Sequence, residues 1–206
     1  MEGKTKQEVM MKNTLFEGQL VRLVPIEPER DSRNISTWSK DSDYSRLLDI
    51  SPAVMYNPKL VQNWYEKGEQ HEHVFMIQTL EDDRMIGFIN LGGINWAAGT
   101  GWVGIGIGDP GYRGKGYGTD AMKVLLYYAF TELNLHRIDL DVFEFNRRAI
   151  RSYEKAGFKY EGTERERIFK EDQRWDILNM GILKSDWELL QEEHFVEMKS
   201  ESRVSA

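Results

Sequence analysis

Between residues 104 and 119 the chain reads Gly104-Ile105-Gly106-Ile107-Gly108-Asp109-Pro110-Gly111-Tyr112-Arg113-Gly114-Lys115-Gly116-Tyr117-Gly118-Thr119, with seven glycines in sixteen residues. Each glycine inside a helix or strand costs about 0.5–1 kcal/mol relative to alanine, so the glycine-rich part past Ile107 reads as a turn between two regular elements. On the N-terminal side, Trp102–Ile107 reads as a strand. On the C-terminal side, Ala121, Leu125, Ala129 and Leu133 fall four apart with Met122, Leu126 and Phe130 beside them, which reads as a helix over Gly118–Leu133. A buried strand therefore runs through a turn with few Cβ atoms into a helix N-terminus. Successive backbone N–H groups in such a turn form an anion-binding concavity, and the helix dipole adds about half a positive charge there. Arg113 and Lys115 add full charges, and a pyrophosphate is the ligand that suits the combination.

Three phosphate-binding patterns compete for these residues. Gly106-Ile107-Gly108-Asp109-Pro110-Gly111 formally matches a dinucleotide fingerprint, but no helix opens at its third glycine and no acidic ribose ligand stands about 20 residues on in a parallel unit. A phosphate loop of the Gly-Lys-Ser/Thr kind fails because Lys115 is followed by Gly116. The third pattern is Arg113, two residues, Gly116, one residue, Gly118, directly capping the helix. An exposed glycine turn with surface charges is the bland alternative.

The remaining chain is read from periodicity. Leu20–Val24 alternates and stops at Pro25, and Glu27–Leu48 holds one or two helical pieces. Asn57-Pro58 starts a helix that runs to about Lys67. Val74–Leu80 and Met85–Leu91 are strands around the turn Glu81–Arg84, and Arg137–Phe143 alternates with Ile138, Leu140 and Val142 on one face. Asn146–Ala156 is a short helix closed by Gly157, and Tyr160–Phe169 with Trp175–Leu183 forms a last hairpin. A strand–helix–strand crossover inside a mostly antiparallel meander implies a mixed sheet of about seven strands flanked by helices, an α/β (α+β) fold. At 206 residues the chain fits one domain, expected over 15–187, with a flexible leader over 1–14 and a charged tail over 188–206.

Composition narrows the chemistry. There is no cysteine, which excludes disulfides, thiolate metal sites and a cysteine nucleophile. The net charge of −7 disfavours generic nucleic-acid binding and suits a cationic partner. No apolar run is long enough to span a membrane and no signal core opens the chain, so a cytoplasmic protein is expected. His71-x-His73 has no matching ligand pair, and no metal is assigned.

A second motif follows the crossover: Asn146-Arg147-Arg148-Ala149-Ile150-Arg151-Ser152-Tyr153-Glu154-Lys155-Ala156-Gly157-Phe158. Asn146, Ala149 and Tyr153 lie on one helical face, which can line a groove. Together with the Arg113-x-x-Gly116-x-Gly118 pattern, this resembles the GNAT superfamily of N-acetyltransferases. In that superfamily the pyrophosphate motif stands between the fourth strand and the next helix, and the fifth strand ends in an Asn that opens a helix with Ala, Tyr and a Gly-Phe exit. Gly87-Phe88-Ile89 fits its third strand, and Trp175–Leu183 resembles the last strand of its ribosomal-protein-alanine and spermidine acetyltransferase branch. The resemblance covers roughly Leu15 to Trp187.

The resemblance implies that strands four and five splay apart and that the pantetheine of acetyl-CoA lies between them. The backbone of Ile105, Gly106 and Ile107 would then bond the pantetheine amides, and one N–H there would polarise the thioester carbonyl. Arg113, Gly114, Lys115, Gly116, Tyr117, Gly118 and Thr119 would hold the pyrophosphate, and the Asn146 amide would hold the cofactor while capping its helix. Tyr153 is the candidate catalytic acid, since a phenol with pKa near ~10 is matched to a departing thiolate. An ordinary core tyrosine and a plain glycine bulge are the competing readings of Tyr153 and Gly106. The implied activity is direct acetyl transfer from acetyl-CoA to an amine acceptor, with a homodimer common in the branch and no metal. The alternatives are a non-catalytic acyl-CoA-binding module of the same fold and a dinucleotide-dependent oxidoreductase.

The general base is the gap. Trp102 occupies the strand-four position where many superfamily members place a Glu, and Glu144 is a speculative substitute. An amine of pKa near ~10.4 is neutral in only about 0.04% of molecules at pH 7, against roughly 14% for an α-amine near ~7.8. That difference is worth ~3.5 kcal/mol. The missing base leans toward a peptide N-terminus as acceptor, whereas the net charge leans toward a polyamine; an aminoglycoside or a small metabolite also stays open. The aromatics Trp38, Tyr44, Tyr56, Trp64 and Trp96 wall the acceptor pocket or pack the core.

Overall fold

The computed structural model describes residues 15–67 and 73–192. The expected leader and most of the expected tail lie outside them. One seven-stranded sheet runs in the spatial order β1-β2-β3-β4-β5-β7-β6. Its strands are β1 (Val21–Pro25), β2 (His73–Thr79), β3 (Met85–Asn95), β4 (Thr100–Ile107), β5 (Arg137–Phe143), β6 (Lys159–Lys170) and β7 (Gln173–Leu183). The helices are α1 (Pro28–Trp38), α2 (Ser42–Leu48), α3 (Pro58–Lys67), α4 (Tyr117–Thr131) and α5 (Arg147–Ala156). The mixed sheet and its helices agree with the sequence expectation. The two pieces expected within 27–48 resolve as α1 and α2, split where the Asp41 side chain accepts from the N–H groups of Asp43 and Tyr44.

The main core lies between the sheet and α4. Ala121, Leu125, Ala129 and Phe130 are buried against Ile86, Ile89, Val103, Ile138 and Leu140. The chain continues past β7 as a short helix, residues 184–192, that seats Trp187 against Phe130 at 5.5 Å between ring centres. A second, smaller cluster on the opposite face of the sheet holds Trp38, Tyr44 and Met76. Because side chains alternate along a strand, odd β4 residues face α4 while Trp102, Gly104 and Gly106 face the α2 side.

The feature that makes a site is a failure of pairing. β3 and β4 are bonded along most of their length, from Gly87↔Ile107 to Asn95↔Thr100, and β5 is bonded to β7 from Arg137↔Leu183 to Phe143↔Ile177. Between them, β4 and β5 pair in parallel only at Thr100↔Arg137, Gly101↔Ile138 and Trp102↔Asp139. From Val103 and Leu140 onward the strands diverge and a wedge opens in the sheet, as the resemblance implies.

Candidate active site

A groove of about 910 Å³ fills that wedge and passes over the glycine loop between α4 and α5. Ile105, Gly106 and Ile107 form one wall, with their β5-facing edge unpaired. At the loop, Gly114 and Gly116 have φ of +74° and +94°, left-handed conformations that favour glycine. Gly116 is the N-cap of α4 and supplies no side-chain cap. The first N–H groups of α4 therefore keep their free hydrogen-bonding capacity, whereas α2 and α5 are capped by the side chains of Asp41 and Asn146. An uncapped helix start over a loop that bares its backbone is the cradle a pyrophosphate requires.

The residues named from the sequence do not all play the expected part. Gly114, Gly116, Gly118 and Thr119 line the groove. The Thr119 hydroxyl is hydrogen-bonded to that of Ser152 at 2.8 Å, joining α4 to α5 beneath the groove. Lys115 sits exposed at the loop apex and Tyr117 packs edge-on against Tyr112 at 5.2 Å, and neither side chain is on the groove wall. Arg113 turns inward. Its Nε and Nη2 donate to the carbonyls of Ile107 and Gly108 at 2.8 and 2.6 Å, and its Nη1 donates to Asp41 at 2.7 Å. Arg113 lines the groove as well, but all three of its nitrogens have fitted acceptors, so the planar fork shapes the loop.

Positive charge comes instead from residues that the sequence reading passed over. Lys123 on α4 and Arg148, Arg151 and Lys155 on α5 line the groove, and none of them forms an ion pair among the described residues. Arg148, Arg151 and Lys155 stand at i, i+3 and i+7 on one face of the helix; that spacing was the available signal. Asn146 caps α5 through its Oδ1, which accepts from the Ala149 N–H at 3.2 Å. Its amide nitrogen stays free to donate at the groove, so capping and ligand contact are compatible.

Tyr153 is half-buried on the groove wall, and its hydroxyl has no hydrogen-bond partner among the described residues. Burial pushes its pKa up to about 12, which keeps the phenol protonated. A protonated, unspent hydroxyl on the wall is what an acid catalyst requires.

Glu144 does not serve as a base. Its carboxylate accepts the Asp176 N–H at 2.9 Å and it is absent from the groove wall. Asp141, on the α2-side face of β5, does line the groove. Burial raises its pKa, and a hydrogen bond from Asn179 at 2.6 Å opposes the shift. The period-2 pattern of Arg137–Phe143 already placed Asp141 opposite the apolar face, but its proximity to the wedge follows only from the splay. Trp102, 44% exposed, stands on the same face of the sheet.

Comparison with known proteins agrees with this geometry. The family model described as "Acetyltransferase (GNAT) domain" matches residues 21–159. The chain is 32% identical over 161 residues to the probable N-acetyltransferase YjcK of Bacillus subtilis, covering 75% of this chain and 88% of that protein. It is 30% identical to spermidine N(1)-acetyltransferase of Escherichia coli K12, covering 81% and 88% respectively. The solved structure of spermidine N-acetyltransferase from Vibrio cholerae in complex with CoA and spermine superposes with a TM-score of 0.73 at 27% identity, over 81% of this chain and 97% of that one. The chain thus belongs to the GNAT acetyltransferases, as an acetyl-CoA-dependent enzyme that transfers an acetyl group to an amine.

Proposed function

We propose that the acceptor is a polyamine-like primary alkylamine, and that Asp141 receives the proton its nitrogen sheds. The observation that carries this reading is Asp141 itself, a groove carboxylate with a raised pKa on the face it shares with Trp102. Charge is unevenly spread on the groove wall. The α4–α5 part carries four cations, Lys123, Arg148, Arg151 and Lys155, beside one acid, Asp120, whose carboxylate accepts the N–H groups of Gln19, Leu20 and Val21. Asp141 and Asp49 lie on the side of α2 and the sheet, where the lining cation Arg113 is tied to Asp41. An anionic cofactor and a cationic acceptor are thereby drawn in from opposite sides. The exposed Trp102 ring adds a surface for an alkylammonium chain.

The steps balance with groups on the wall. Uncapped N–H groups of α4 and the basic face of α5 hold the phosphates, and the free edge of β4 holds the pantetheine. Backbone N–H groups of Ile105–Ile107 polarise the acetyl carbonyl. The amine nitrogen bonds to the carbonyl carbon and becomes strongly acidic, so that even a carboxylate takes its proton. The C–S bond breaks, and Tyr153 gives its proton to the sulfur. Asp141 supplies a proton acceptor for the addition step, while the cost of starting from a neutral alkylamine remains and shows in the pH dependence.

Support from relatives is consistent: two proteins similar to this chain are named for acetylating spermidine. The same reading takes the enzyme to be cytoplasmic and homodimeric; light scattering of the purified protein checks the second point. The acceptor is tested by thiol release from acetyl-CoA with spermidine, with a peptide bearing a free N-terminus and with an aminoglycoside. A preference for the peptide over spermidine in kcat/KM would sink the polyamine assignment.

A further inference from the structure

Tyr44 carries the one buried side-chain polar atom that lacks a hydrogen-bond partner among the described residues, its hydroxyl oxygen. The ring sits in the small core cluster with Trp38 and Met76, and the Arg113 guanidinium lies over it at 5.1 Å. The oxygen points out of that cluster toward β4. A Cβ on Gly106 would stand 2.5 Å from it, so a side chain at 106 would displace the hydroxyl. Gly106 is the middle residue of the unpaired β4 edge, and Tyr44 itself lines the groove.

An orphaned hydroxyl is a standing cost to the fold, because it has given up water and received nothing in return. A phenylalanine would keep the packing without that cost. Nor is the position an accident of a loose helix, since α2 is held at both ends. Asp41 at its start accepts from Arg113 at 2.7 Å, and past its end the Asp49 carbonyl accepts from Lys170 Nζ at 2.7 Å. The Arg46 carbonyl accepts from the same ammonium. A fixed, dry, unspent donor beside the strand that polarises the thioester is preorganised for charge that appears only during reaction.

We propose that the Tyr44 hydroxyl donates a hydrogen bond to the acetyl carbonyl oxygen of the bound substrate, as a second donor beside the backbone N–H of β4. The inference rests on reading the wedge as the acetyl-CoA site. As the amine nitrogen adds to the carbonyl carbon, the oxygen gains negative charge and the bond from Tyr44 strengthens; when the C–S bond breaks, the carbonyl is restored. Tyr44 keeps its proton throughout. Burial raises its pKa well above the ordinary phenol value, so it remains a donor.

The test is Tyr44→Phe, read by kcat, by acetyl-CoA affinity in calorimetry and by thermal midpoint. The expected result is a fall in kcat of about 100-fold, typical for loss of one such donor. Acetyl-CoA affinity should stay within a factor of about two, and the thermal midpoint should be unchanged or higher. A hydroxyl that only packs would leave kcat within about twofold of the parent, and that outcome overturns the proposal. Tyr153→Phe run beside it separates the two levels. Loss of turnover in Tyr153→Phe with full turnover in Tyr44→Phe leaves the enzyme reading standing and removes the role given to Tyr44. Absence of acetyl-CoA binding by the parent protein removes both.

Discussion

Arg113 Nη1 stands 2.7 Å from a carboxylate oxygen of Asp41, so the first residue of the glycine-loop motif is tied to the cap of α2, 72 positions earlier in the chain. The contact joins the cofactor loop to the helix that carries Tyr44. Its remaining two nitrogens grip the end of β4 through the carbonyls of Ile107 and Gly108. The guanidinium in turn holds the Asp41 carboxyl below the usual carboxylate range.

This geometry separates shape from charge at position 113. A lysine keeps the charge but cannot bond three acceptors in one plane. Arg113→Lys is therefore expected to raise the KM for acetyl-CoA about tenfold, nearly as much as Arg113→Ala. Full rescue by lysine would mean that the side chain acts as a phosphate-binding cation after all. The measurement is initial-rate kinetics on all three proteins.

The α5 cations should behave in the opposite way. Arg151→Gln and Lys155→Gln, singly and together, are expected to raise KM for acetyl-CoA while leaving kcat within about twofold, since they hold a ligand and touch no reacting atom. Added salt should raise the parent's KM as well, because these groups are exposed and screened. In the double variant the salt dependence should flatten. Unchanged salt dependence would argue that the phosphates lie elsewhere.

The legibility of this protein divides by range. Gly106, Gly114, Gly116, Gly118, Asn146 and Tyr153 were readable because backbone conformation, capping and helical face are local properties with sequence signatures. The wedge between β4 and β5 followed from the resemblance rather than from the residues. The fork that Arg113 makes was not readable because its Asp41 partner lies 72 residues away and nothing at either position signals the pairing. Tyr44 was visible only as one of five aromatics that wall the acceptor pocket or pack the core, and Asp141 only as an acid on a strand. Their importance comes from tertiary placement, the one beside Gly106 and the other where the sheet splits.

Gly108 offers a stability test of that placement. A Cβ there would overlap the Trp38 ring in the small core cluster. Gly108→Ala is expected to cost about 1–3 kcal/mol through overpacking, measured by urea denaturation. Gly114→Ala meets no neighbouring atom and is strained only by its φ of +74°, so it should cost less, on the order of 1–2 kcal/mol.

The pH dependence follows from three groups. Below its pKa near ~10.4, an alkylamine gains a tenfold larger neutral fraction with each unit that the pH rises, so kcat/KM should climb with pH through the neutral range. Tyr153 acts as the acid only while protonated. Its raised pKa, about 12, postpones the loss of activity to the far alkaline side, and no descending limb is expected below about pH 10. Asp141 must be ionised to accept a proton, and its raised pKa moves the acid limb upward from the usual carboxylate range. Asp141→Asn should remove that limb and lower kcat about 10²–10⁴-fold, the usual contribution of a general base.

The most direct test of the central claim is steady-state thiol release from acetyl-CoA with spermidine, comparing the parent protein with Tyr153→Phe and with calorimetric acetyl-CoA binding measured on both. The account predicts turnover in the parent, a loss of at least about 100-fold in Tyr153→Phe, and equal acetyl-CoA affinity in the two. Acetyl-CoA binding without turnover on any amine, or full activity in Tyr153→Phe, would contradict it.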